Sequence, residues 1–345
     1  MEPIPHCTGR SVVRGTVVLA KISEKDHRFQ IQIEQIDPTL GALSPDPQCG
    51  STRTLDIAKR EAEAILEDEF GVDRVRDTPI SEAAIVGFSV GAAMQGMRPV
   101  AEIMHMDFIA CAMDQVVNQA AKMRYMFGGK ASVPIVLRCG VGGYLNAAAQ
   151  HSQSLESWFT HVPGLKIVAA GTGRDVRRVL KAAIRDDNPV IVLESLALYE
   201  TTGEVPESEA PYRIGEADIK RQGDDVTVIT WGAMVPQVME AATSLAKQGI
   251  EIEVIDLLSL FPWDVEAVMK SVWRTNRVVV THQATTRSGF GAEIATVITE
   301  RGFGDLDKPV KRVGALNVPV PFAPQLENFV LPNAQRVVDA VKSLL

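Results

Sequence analysis

The chain has 345 residues, 46% hydrophobic and 23% charged, with a formal net charge of −8. That length and balance suit a folded protein with room for two domains, and they exclude a disordered or fibrous chain. The acidic excess gives no support to wholesale binding of nucleic acid or an anionic bilayer, and no apolar run reaches the ~20 residues a membrane helix needs. The N-terminal residues lack the basic head and apolar stretch of a secretory signal. Cys7, Cys49, Cys111 and Cys139 form neither a CxxC pair nor metal-ligand spacing, so the expectation is a cytoplasmic protein with reduced, mostly buried thiols.

Residues 1–54 stand apart as an atypical N-terminal segment. Strands are predicted over 12–22 and over 28–36, where the run from Phe29 to Ile36 alternates apolar and polar residues. Residues 37–54, rich in Pro, Gly, Ser and Thr, read as loop. Residues 55–200 then show the texture of one α/β domain. Leu55, Ala58, Ala62, Ile65 and Leu66 make a helical stripe that Gly71 ends. Ser81 is placed to cap a Gly/Ala-rich helix over 82–96. A strand over 99–104 leads to a helix over 109–126, stopped by Gly128-Gly129. The near-continuous apolar run over 133–139 is a strand buried on both faces. Strands over 166–170 and 190–194 flank a helix over 174–186.

Residues 201–222 are polar and read as a linker. The alternation restarts over 223–345, with strands over 226–231, 252–257, 278–282 and 309–313. Helices lie over 235–248, 265–273 and 292–301, and a last one starts at Asn333. The fold class is α/β, with two domains each rich in parallel sheet.

Taken singly, the candidate residues stay ambiguous. Glu82 sits in the first turn of its helix, where the macrodipole alone favours a carboxylate by ~0.3–1 kcal/mol. His151, within Ala149-Gln150-His151-Ser152-Gln153, is a loop histidine of the kind that is often structural. An apolar-rich strand ends in Asp107-Phe108, and for an aromatic such as Phe108 core is the commoner fate. Asp186, Asn188 and Pro189 read as a helix end and turn. The glycines of Gly140-Val141-Gly142-Gly143 match neither GxGxxG nor a Walker pattern and carry no phosphate role.

Together the runs say more. DTPISE (77–82), DQVVNQAAKMRYMFGG (114–129), AAQHSQSLE (148–156), HVPGLK (161–166), AIRDDNPVIVLE (183–194) and GFGAEIA (289–295) follow one another without gaps. Over residues 70–345 the chain resembles the β subunit of the thiamine-diphosphate-dependent 2-oxo acid dehydrogenases, of the pyruvate and acetoin type. The resemblance implies a thiamine pyrimidine-binding domain followed by a transketolase C-terminal-like domain. It also implies that Glu82 bonds a ring nitrogen of the aminopyrimidine, that Phe108 stacks on that ring with Ile80 packed nearby, and that His151 faces the reacting end of the cofactor. A structural potassium-like ion is implied at Ile135, Ala183, Ile184, Asp186 and Asn188, bound largely through carbonyls.

The GDG motif with its distant Asn, which carries magnesium and the diphosphate in thiamine enzymes, is absent from the sequence. The implied site is therefore shared, with magnesium held by an α subunit. The expected assembly has two α and two β subunits, passing an acyl group to the lipoyl arm of a dihydrolipoyl acyltransferase core. The implied substrate is a small-molecule 2-oxo acid, pyruvate first, with acetoin and branched-chain 2-oxo acids as alternatives. The chain departs from the family pattern twice. No acidic GEDV-like run occupies the place near Ser51, which leaves open a paralogue that assembles without catalysing, and Gln283 stands where glutamate is common.

Overall fold

Strand and helix alternate through two sheets in the computed structural model, which describes residues 15–20, 71, 73–199, 201 and 211–345. The strand over 28–36, the loop over 37–54 and the helical stripe from Leu55 to Leu66 lie outside the described residues. In chain order the first domain contains β1 (Gly15–Ala20), β2 (Val75–Thr78), α1 (Glu82–Met94) and β3 (Arg98–Ile103). A 3-10 segment (Met106–Ala112), a π segment (Gln115–Ala120) and α2 (Met123–Met126) come next. Then follow β4 (Val136–Val141), α3 (Glu156–Thr160), β5 (Lys166–Ala170), α4 (Gly173–Arg185) and β6 (Val190–Ser195).

The second domain opens with β7 (Asp218–Arg221), β8 (Val226–Thr230), α5 (Met234–Ala246), β9 (Ile252–Asp256) and β10 (Ser259–Phe261). It closes with α6 (Val265–Thr275), β11 (Val278–Thr285), α7 (Phe290–Gly302), β12 (Lys311–Ala315), α8 (Pro324–Val330) and α9 (Ala334–Lys342).

Among the described residues the first sheet has seven strands in the order β10-β5-β6-β4-β3-β1-β2, and the second has five in the order β12-β11-β8-β9-β7. β3, β4, β6 and β5 are parallel to one another, and every residue of β6 is buried. That is the signature of a sheet covered on both faces, and it is why the run over 133–139, which leads into β4, reads as near-continuously apolar. β1 lies between β2 and β3, antiparallel to both, so part of the atypical N-terminal segment belongs to the sheet. β10 crosses from the second domain to pair antiparallel with β5; the two domains share a sheet edge.

Three elements differ from expectation for identifiable reasons. The helix expected over 109–126 is broken into 3-10, π and α pieces. The Ala121 N–H reaches the Val116 carbonyl at 3.1 Å, five residues back, which is the π-turn spacing. At the same place the Ala121 carbonyl lies against Gly164, where a Cβ would overlap it. The polar stretch over 201–222 contains β7, an edge strand antiparallel to β9; edge strands need no apolar alternation. Ser81 stands at the N-cap of α1 but makes no side-chain cap bond. Among the described residues of the first domain a side-chain cap forms at α4, where Thr172 accepts from the Asp175 N–H at 3.2 Å.

The domains meet through an ionic seam. From α4, Asp175 accepts Lys220 Nζ at 2.6 Å, and Arg178 donates to Asp218 of β7 at 2.6 Å. Lys220 also reaches Asp218 at 2.9 Å and Asp256, at the end of β9, at 3.6 Å. Among the described residues Lys220 and Arg178 thus face three carboxylates, and Asp175 and Asp256 are fully buried. Burial pushes the Asp256 carboxyl up to about 7, with Lys220 opposing the rise and Asp175 and Asp218 adding to it.

A carboxyl whose pKa is raised in the folded state stabilises most below its ordinary value near 4, and that contribution is lost as pH rises through about 7. Asp256→Asn is therefore expected to gain stability relative to the wild type between pH 5 and pH 8, read from denaturation midpoints. A gap between the two proteins that does not change with pH would contradict this reading.

Candidate active site

β3 delivers the first part of the site. Beyond its last residue the chain turns into the 3-10 segment, pinned by the buried side chains of Ile103, Met106 and Ile109. That pinning leaves His105 and Phe108 half-buried at the end of the strand. His151 arrives from the loop that follows β4, and the three rings meet edge to face. His105 and His151 have centroids 5.0 Å apart at 84°, and Phe108 and His151 are 5.2 Å apart at 75°. Both distances fall in the range where aromatic edges and faces attract. Gln153, two residues beyond His151, donates through its backbone N–H (3.1 Å) and its side chain (2.8 Å) to Asp107 Oδ1. The histidine loop is thereby tied to the residue beside Phe108.

Glu82 is the first residue of α1 and is half-buried, and Ile80 just before it is 61% exposed. α1 packs on the 3-10 segment; its small residues let it bury Ile85, Val86, Val90 and Ala93. The carboxyl at the mouth of α1 and the ring cluster at the end of β3 are thus joined by a packed element. A carboxylate, an aromatic face, an exposed aliphatic side chain and an imidazole can hold a flat heteroaromatic ring. They can also exchange a hydrogen bond with one of its nitrogens. Sequence reading singled out Glu82, Ile80, Phe108 and His151; the structure adds His105, in ring contact with His151, and Asp107, bonded to Gln153. The signal for both lay in the Met104-His105-Met106-Asp107-Phe108 run.

Of the five residues expected to hold an ion, Ala183 and Ile184 end α4, Asp186 and Asn188 follow it, and Ile135 precedes β4. The Ile135 carbonyl accepts from the Val190 N–H at 2.9 Å, and the Ala183 carbonyl accepts from the Asp186 N–H at 3.2 Å. This corner already carries positive charge. Arg98 donates to the Asp186 carbonyl at 2.8 Å, and Lys166 pairs with the Asp186 carboxylate. Burial pushes that carboxyl up, but hydrogen bonds from Lys166 and Asn188 outweigh it and hold Asp186 below the usual range. Among the described residues no group of three or more His, Cys, Asp or Glu side chains is placed to hold a metal ion.

Gln283 faces the domain seam. It lines a cavity of about 20 Å³ with Glu156 and Trp231, and burial raises the Glu156 carboxyl. Cys139 is buried and Cys111 is exposed, while Cys7 and Cys49 lie outside the described residues. Among the described residues no helix is long and apolar enough to cross a membrane.

Comparison with known proteins gives these positions a context. The transketolase pyrimidine binding domain matches residues 32–201, and the transketolase C-terminal domain matches residues 215–337. The first match begins inside the stretch set apart as residues 1–54. The chain is 47% identical over 280 residues to the acetoin:2,6-dichlorophenolindophenol oxidoreductase subunit beta of Bacillus subtilis, covering 81% of this chain and 82% of that protein. It is 44% identical over 280 residues to the pyruvate dehydrogenase E1 component subunit beta of Rhizobium meliloti, covering 81% of this chain and 61% of that protein. A solved split-gene transketolase, an inactive beta4 tetramer, shares the fold with a TM-score of 0.68 at 24% identity, over 92% of this chain and 97% of that one. The chain belongs to the family of β subunits of the thiamine-dependent 2-oxo acid and acetoin dehydrogenases, built from transketolase pyrimidine-binding and C-terminal domains.

Proposed function

We propose that this chain is the β half of a thiamine-diphosphate-dependent enzyme that decarboxylates a 2-oxo acid, pyruvate first, and acylates lipoyl-lysine. The observation that carries this reading is the Glu82 carboxyl at the start of α1, on the helix that packs against the segment bearing Phe108. Thiamine diphosphate, when bound, supplies an acidic thiazolium carbon and an electron sink. Glu82 bonds a ring nitrogen of the aminopyrimidine and keeps a proton shared there. Phe108 would stack on that ring, with Ile80 packed nearby, and the two would exclude water. His151, fixed by its ring contacts, presents an N–H toward the substrate oxygen on which negative charge develops.

The diphosphate and its magnesium fall to an α subunit. Support comes from the missing diphosphate motif and from Ile80, an aliphatic side chain left 61% exposed beside the acidic residue. Two α and two β subunits, docking on a dihydrolipoyl acyltransferase core in the cytoplasm, complete the reading. Acetoin cleavage is a second reading, favoured by the higher identity to the acetoin oxidoreductase relative. Reconstitution with the α subunit and dye-coupled turnover of pyruvate, acetoin and branched-chain 2-oxo acids separates them. The substrate with the largest kcat/KM names the enzyme; no turnover of any of them identifies an assembling, non-catalytic paralogue.

The corner formed by Ile135, Ala183, Ile184, Asp186 and Asn188 is assigned a potassium-like ion, since carbonyl oxygens suit a hard cation. The ion would share this corner with Arg98 and Lys166. The expected result is a higher thermal midpoint in potassium chloride than in tetramethylammonium chloride at equal ionic strength. Equal midpoints would remove the ion.

A further inference from the structure

The loop between β4 and α3, which carries His151, holds an unfavourable backbone. Tyr144, Asn146 and Ala148 have φ of 72°, 55° and 63°. Left-handed backbone is disfavoured for L-residues; Asn tolerates it through local hydrogen bonding, but Tyr and Ala gain nothing comparable. Three such residues within five positions persist only where the surroundings over-determine them.

The surroundings that do so come from the second domain. Glu327, on α8, is only 1% exposed. Its Oε1 accepts the Tyr144 N–H at 2.9 Å and its Oε2 accepts the Asn146 N–H at 3.0 Å. Each carboxylate oxygen thus takes one of two alternate backbone amides, an arrangement that offsets the burial of the charge. Gly143, just before them, permits the approach: a Cβ there would stand 2.7 Å from Leu331 and 3.1 Å from Glu327 Oε1. The Tyr144 ring packs against the cluster of Ala315, Val330 and Leu331. Its hydroxyl donates to the Pro332 carbonyl, and burial pushes that hydroxyl up to about 12, so it stays protonated. At the other end of the loop Gln153 is fastened to Asp107.

We infer that Glu327 is a positioning residue: the C-terminal domain sets the place of His151 by clamping two loop amides on one buried carboxylate. This rests on the reading of His151 as the group that faces substrate. It assigns the C-terminal domain a part in the chemistry although, in this reading, none of its residues touches the reacting atoms.

Glu327→Gln in the full chain, assembled with the α subunit, tests the inference, because the amide keeps the length but replaces one acceptor by a donor. Hydrogen exchange of peptides covering residues 142–150 should quicken by about tenfold or more, as expected for loss of one charge-assisted hydrogen bond. Exchange in β4 and β6 should not change. The kcat should fall with little change in KM, and Glu327→Asp should recover part of it. Tyr144→Phe, which removes only the bond to Pro332, should loosen the same peptides to a smaller extent; it carries the test if Glu327→Gln does not fold.

Unchanged exchange in the loop of the variants would overturn the clamp. Faster exchange with wild-type kcat and KM would overturn the positioning role. Exchange is read without turnover, so a wild-type complex inactive on every substrate would sink the proposed function while still leaving the clamp tested.

Discussion

Glu82→Gln is expected to lower turnover of the assembled enzyme by roughly 10²- to 10⁴-fold, the range for losing a positioned acid–base partner. The thermal midpoint should barely move. The carboxylate is the first residue of α1, and its electrostatic value there to an isolated helix is only ~0.3–1 kcal/mol. The two effects differ enough in size to tell the roles apart. A residue kept for the helix would cost a little stability and no rate. A residue kept for the pyrimidine nitrogen would cost rate, because a glutamine amide cannot carry a shared proton. The defect should appear in kcat more than in KM, since the cofactor keeps its other contacts. Wild-type turnover in this variant would remove the proposed role of Glu82.

Asp175→Ala is expected to cost about 3–5 kcal/mol, the range for removing one partner of a buried ion pair. Asp175 is fully buried and accepts from Lys220, from Arg178 and from the Thr172 hydroxyl. Its removal leaves Lys220 and Arg178 with fewer counter-charges at the place where α4 meets β7. Two consequences follow. The denaturation midpoint falls, and the titration of Asp256 moves to lower pH, because Asp175 is one of the charges that raises it. Asp175→Asn, which keeps an acceptor oxygen, should recover part of the loss. A loss below about 1 kcal/mol, the size of an exposed pair, would mean that the seam does not hold the domains together.

What could be read from the sequence follows from how local each signal is. β4 and β6 were legible because strands covered on both faces are mostly apolar and rich in Val, Ile and Leu. α1 and α4 were legible from composition and from their neighbouring turns. Glu82, Ile80, Phe108 and His151 were singled out through resemblance; position and spacing alone favoured a structural role for Glu82, Phe108 and His151. The contact of His105 with His151 joins positions 46 residues apart, and no local pattern announces it. Glu327 is further out of reach, at 181 and 183 residues from the amides it holds. β7 hid within a polar stretch because an edge strand buries little. The helix over 109–126 misled in the opposite way: its apolar residues keep helical spacing while Gly164 and the Ala121 turn break the hydrogen-bond ladder. β10 leaves its own domain to pair with β5, an exchange that only tertiary structure reveals.

The central claim is that this chain is one half of a thiamine site. Calorimetric titration of thiamine diphosphate with magnesium tests it most directly, using this chain alone, the α subunit alone, and the two together. The account predicts saturable binding only in the mixture, at one cofactor per αβ pair, weakened by Glu82→Gln. Tight binding by this chain alone, or a mixture that binds no more than the α subunit does, would contradict it.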